Sequence, residues 1–243
     1  MILRSVIRAV MRFGRPREVA AARERFRSVA LAPFGYRMAW LAVRTEDHAR
    51  LAGILGLESG QPVGWNEGLA AIYAEERPMR VLVSRPLESW CFVVGLALPY
   101  PAGPRFVDRC TPLLETLAGV FPDVQLYLTL PEFDLYAWAR YRDGKLVRAY
   151  AAGDEGGIWS KGEVTIEEVA AGLEPGSGID EDRVIALAAR WSLDPTALEG
   201  PAQRPALVSL LRAPTRWRLA VAATPGRPKP GQKVQRPVLR PVA

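Results

Sequence analysis

The side chains that most metal and nucleophile chemistry relies on are scarce in this chain: it has two cysteines, Cys91 and Cys110, and one histidine, His48. A structural zinc site takes four Cys or His ligands, and three such residues scattered along the chain do not supply one. Nor do two cysteines make a disulfide framework. Both sit in apolar patterns, so buried free thiols and a reducing compartment are expected. His48 lacks any Ser/His/Asp or Cys/His pattern around it and reads as a surface or capping residue. Phosphate-cradling loops are missing too, because the segment from Gly153 to Gly157 has neither the G-x-G-x-x-G spacing nor a Walker lysine. Long apolar runs are absent: the stretch from Cys91 to Leu98 falls far short of the ~20 residues that span a bilayer. At the N-terminus, Arg4, Arg8 and Arg12 interrupt any secretory-signal core. A cytoplasmic protein with no cofactor and no bound metal is the expectation. Carboxylate-only magnesium sites leave weak sequence traces, and that class stays open.

Acid is the other uneven quantity. The net charge is +6, yet residues 200–243 hold seven Arg and two Lys without one acid, and residues 1–30 hold eight Arg against two Glu. Residues 31–199 keep 15 basic and 24 acidic side chains, a net of −9. The middle is acidic and both ends are basic. The division suggests three parts: a basic helical extension over 1–30, a single domain over 31–199, and a basic, Pro-rich, largely disordered tail over 200–243.

Most of the readable pattern lies in residues 80–152. Strand-like runs cover 80–84, 88–98 and 124–129, with an apolar helical stripe at 104–120 between the last two, stopped by Pro122. Runs 133–142 and 145–151 flank Asp143-Gly144, a strong signal for a two-residue type I′ hairpin. Upstream, residues 36–44 read as a buried strand, Thr45 as the cap of a short helix ended by Gly56, and 65–76 as a second helix. Downstream, 152–179 is loop-rich with one short element at 165–171, and a helix begins at Asp180-Glu-Asp182 and runs to Trp191. The predicted fold is α+β: a mainly antiparallel sheet of five to six strands with helices packed on one face.

Period-two alternation places Asp134, Tyr136, Trp138, Arg140 and Arg142 on one hairpin face and Leu135, Ala137, Ala139 and Tyr141 on the other. Counting from the turn pairs Tyr141 with Leu146 and Arg140 with Val147. The Trp138/Arg140 face mixes the residue types enriched at binding hot spots. Trp65 beside Glu67, and the acidic pairs Glu132/Asp134 and Asp154/Glu155, complete the candidate contact residues, while Glu167/Glu168 reads as a solvated pair.

Four motifs, Gly64-Trp65, Trp90 with Gly95 five residues on, the run from Trp138 to Tyr150, and Trp191 to Pro195, carry a resemblance spanning residues 36–198. In these the chain resembles a group of uncharacterised bacterial proteins, some of which look like immunity or accessory proteins encoded near toxins. The resemblance implies a protein-binding role and brings no catalytic residues. The expected function is therefore a non-enzymatic binding module whose acidic core would meet a basic protein partner, such as a nuclease toxin. Two alternatives stand beside it. One is an enzyme with a carboxylate-lined pocket near Trp65 and the 153–157 loop; the other is nucleic-acid or anionic-surface binding through the basic ends.

Overall fold

The computed structural model of the protein describes residues 28–74, 79–101, 108, 110–154, 156–201 and 207–217. Most of the basic N-terminal extension, residues 1–27, lies outside them. Its last residues are not helical: Ser28–Ala30 is a strand, β1, paired antiparallel with β10, Glu199–Pro201.

The remaining strands form one nine-stranded antiparallel sheet. In chain order they are β2 (Ala39–Arg44), β3 (Glu58–Gly64), β4 (Arg80–Ser84), β5 (Trp90–Val94), β6 (Asp123–Leu130), β7 (Leu135–Arg142), β8 (Lys145–Gly153), β9 (Gly156–Lys161) and β11 (Leu207–Arg212). In space the order is β3-β11-β4-β5-β2-β6-β7-β8-β9, which puts β2 at the centre. The expectation of five to six strands is corrected. The extra strands are β3, rich in Gly and carrying Pro62, β9, which opens with two glycines, and β11. Each lacks the apolar alternation that marks a strand in sequence; β11 and β9 are held by the strongly patterned β4 and β8, and β3 in turn pairs with β11.

β11 also corrects the expected tail. Leu207–Arg212 inserts between β3 and β4, and Trp217, at the end of the turn Thr215–Trp217, is buried against the sheet. Residues 218–243 lie outside the described residues. Among those described, no helix is long and apolar enough to cross a membrane, which says nothing of strands that might.

Helices cover both faces, not one. On one side α1 (His48–Leu55) and α3 (Cys110–Ala118) bury Leu51, Leu55, Leu114 and Leu117 against Leu41, Val43, Val93, Leu126 and Leu128. On the other side α2 (Trp65–Tyr73) and α5 (Glu181–Trp191) bury Trp65, Leu69, Val184, Leu187 and Trp191 against Trp40, Leu82, Phe92 and Tyr127. The cause is in the central strands. β2 is buried from Ala39 through Val43 and β5 from Trp90 through Val94, so neither can leave a face in water. A fully buried apolar side chain contributes about 1.5–3 kcal/mol, and the two layers spend such residues on both faces of the same strands.

Caps and turns set the joins. Asp47, not Thr45, caps α1, accepting from the Arg50 amide at 2.9 Å, and the left-handed Gly56 ends the helix. The Asp143-Gly144 turn is as expected, with φ of 49° and 75°. β4 turns into β5 through Glu88-Ser89, both at positive φ and neither a glycine. Gly95 has no substitute: a Cβ there would stand 2.8 Å from the Arg80 carbonyl oxygen.

Two predictions follow from this packing. A chain truncated after residue 199 loses β11, which leaves β3 without a partner and bares one edge of β4, so its far-UV circular dichroism melt is expected to lose the cooperative transition of the full chain. Alkaline pH gives the second. Burial pushes the Cys91 thiol up to about 12, with Asp47 adding to it, and lifts Cys110 well above its ordinary 9.0. Burial likewise raises Tyr141 to about 12 and Tyr127 well above 10.0. These groups are neutral when protonated and hold their protons more tightly folded than unfolded. The stability they lend is complete below pH 9 and is lost as pH climbs toward about 12. Urea unfolding midpoints are expected to fall across that window, and thiol reagents to stay unreactive until the protein unfolds.

Candidate functional site

The largest concentration of chemistry-bearing side chains lies where α5 and a short helix, α4 (Ile166–Ala170), cover β6, β7 and β8. A register shift builds it. Tyr141 pairs with Leu146 as the turn dictates, but Arg140 pairs with Arg148, leaving Val147 as a bulged extra residue. Because side chains alternate along a strand, one inserted residue moves the rest of β8 to the other face. Arg148 and Tyr150 thereby join Arg140 and Trp138. The expected Arg140–Val147 pairing is corrected, and with it the cast of residues on this face. Gly162 sits against the bulge, where a Cβ would come within 2.3 Å of the Val147 carbonyl oxygen.

Two ion pairs lie on this face under the helices. In the first, the Arg140 guanidinium donates to Asp123 through Nη2–Oδ2 at 2.6 Å and Nε–Oδ1 at 3.2 Å, and both side chains are at most 7% exposed. The Gln125 amide donates to Asp123 Oδ1 and to the Trp191 carbonyl, each at 3.0 Å, and accepts from the Tyr127 hydroxyl at 2.8 Å. The Trp191 ring lies 5.4 Å from the Arg140 guanidinium carbon, which adds a cation–π contact.

In the second pair, Arg148 Nε donates to Glu168 Oε1 at 2.9 Å. The same oxygen accepts from the Trp138 indole at 2.8 Å, and Oε2 accepts from the Thr165 amide at 2.8 Å. Arg148 Nη1 reaches Ser160 Oγ and the Lys161 and Gly162 carbonyls, each at 3.2 Å. Thr165 and Glu168 form a reciprocal capping box at the start of α4. Glu168 is fully buried, so reading it as solvated is corrected. The signal was available: Thr165-Ile-Glu-Glu168 has the T-x-x-E spacing of that box.

Chemically this network binds itself. Each carboxylate accepts from donors of its own chain, and each guanidinium is turned inward. An aromatic row runs through it, with Trp40 stacked on Tyr127 at 4.9 Å and Trp138 on Tyr150 at 4.7 Å. Such pairs contribute about 0.5–1.5 kcal/mol beyond their buried area. The face ties α4 and α5 to the sheet.

The eight candidate contact residues therefore divide. Trp138 and Arg140 belong to the buried network, and Trp65 is buried with its indole donating to the Ala32 carbonyl at 2.9 Å. None of these three can meet a partner from its present position. Glu67 is exposed in the first turn of α2, and Asp154 is exposed in the β8–β9 turn; Glu155 lies outside the described residues. The segment 153–157 joins β8 to the edge strand β9, and Trp65 is not near it. α2 packs on β4 and β11, with β5, β2, β6 and β7 between them and β8.

Glu132 and Asp134 come together with residues that the sequence reading did not single out. They flank the turn from β6 to β7, where Glu132 Oε1 meets Arg37 Nε at 3.1 Å. Beside them, the acidic start of α5 folds onto the entry to β2: Tyr36 donates to Asp182 Oδ1 at 2.8 Å, and the Arg37 amide donates to Glu181 Oε1 at 2.7 Å. Tyr73, at the end of α2, donates to the Tyr36 carbonyl at 3.0 Å. The acids are felt by the phenols. The bond to Asp182 is the first cause raising Tyr36, and burial followed by Asp134, Glu181, Asp180 and Glu132 raises Tyr136. Tyr36 and Tyr73 are each 43% exposed, so this end of the sheet presents two phenols within an acidic rim.

A cleft of about 290 Å³ lies on the opposite face, between Ile54, Leu113, Pro99, Asp108, Arg216 and Trp217. Its carboxylate is engaged, since both Asp108 oxygens accept from Thr111, at 2.8 and 2.6 Å. Among the described residues no three His, Cys, Asp or Glu side chains are grouped to hold a metal ion.

Fold and site together define an antiparallel sheet between two helical layers, with its interior charges paired and an acidic, tyrosine-bearing end. Neither a family model, nor a curated protein, nor a solved structure matches the chain.

The network makes a direct prediction. Arg148→Met leaves the buried Glu168 carboxylate without its cation and is expected to cost about 3–5 kcal/mol. Adding Glu168→Leu should restore much of that loss, so a double-mutant cycle by urea unfolding reads a coupling of at least about 2 kcal/mol. Additive effects would show that the pair does not form.

Proposed function

We propose that the protein is a non-enzymatic protein-binding module of the immunity or adaptor kind, and that it meets a basic partner with the acidic end of its sheet. One observation carries the reading: Tyr36 and Tyr73, both part-exposed, stand beside Glu181 and Asp182 of α5, with Glu132 next to them on Arg37 and Asp134 and Asp180 around the neighbouring Tyr136. Tyrosine is among the residues that dominate binding energies, because a rigid apolar ring and a polar hydroxyl bury together at little entropic cost. Surrounding carboxylates steer a cationic partner and raise its association rate. The net −9 of residues 31–199 supports the same sign of partner. The interior supports it differently, since the charged groups of the α4/α5 face are held in contacts within the chain.

Capture on the tagged full chain from the source cells at moderate salt is expected to return one stoichiometric basic protein. Against that partner, Glu132→Lys with Asp134→Lys should slow association about tenfold or more at low salt, an effect that shrinks as salt rises. Tyr36→Ala should speed dissociation. Unchanged kinetics in both variants, with the fold intact by circular dichroism, would place the contact elsewhere, and failure to capture any protein would remove the reading altogether.

A further inference from the structure

We draw no further inference here: the strongest candidate, the apolar pair Ile166 and Val169 that α4 leaves 80% and 54% exposed on the β8–β9 flank of the sheet, carries nothing because nothing in the structure shows what covers it.

Discussion

The ion pair between Arg148 and Glu168 is the contact on which the α4/α5 side of the molecule depends. It exists because one residue, Val147, is extruded from the β7–β8 ladder. Without the bulge, Arg148 would point into the layer beneath α1 and α3, among leucines and alanines, where a lone guanidinium would cost several kcal/mol. With it, Arg148 lies beside Trp138 and Tyr150, and its guanidinium takes Glu168 on one side and the β9 exit carbonyls on the other. A single register decision thus fixes where α4 docks, and through the Arg190 bond to the Ala170 carbonyl it bears on α5 as well.

The same economy explains the separation of inside from outside. Central strands with no polar face demand a helical layer on each side, and the polar residues that remain in the interior must find partners within the chain. Asp123, Gln125, Arg140, Arg148 and Glu168 do so. The perimeter is different. There Tyr36 and Tyr73 sit among acids that the fold brings from the β6–β7 turn and the start of α5, segments far apart in sequence.

How legible this was in the sequence varies by element. The Asp143-Gly144 hairpin could be read because its turn chemistry is local and its flanking strands alternate. The alternation correctly put Trp138 and Arg140 on one face. It could not show that the face was covered, because the cover comes from α4 and α5, helices that begin only at Ile166 and Glu181. β3, β9 and β11 were not legible. Glycines, Pro62 and a basic neighbourhood disguise them, and only the edges offered by β4 to β11, by β11 to β3 and by β8 to β9 make them strands. Glu168 was readable from its capping-box spacing and was missed by treating adjacent acids as solvated. The Val147 bulge has no sequence signature apart from Gly162 fifteen residues later, whose need for a bare backbone is visible only in three dimensions.

The most direct measurement is nuclear magnetic resonance of the arginine Nε–H and tryptophan indole protons in the folded chain. Arg140, Arg148 and Trp138 donate to buried carboxylates, so their three signals are expected to be dispersed and protected, exchanging with deuterium orders of magnitude more slowly than exposed side chains. They should remain unshifted when a partner binds the acidic end. Rapid exchange of Arg140 and Arg148, or large shifts of these protons on binding, would contradict the account by showing that this face is open.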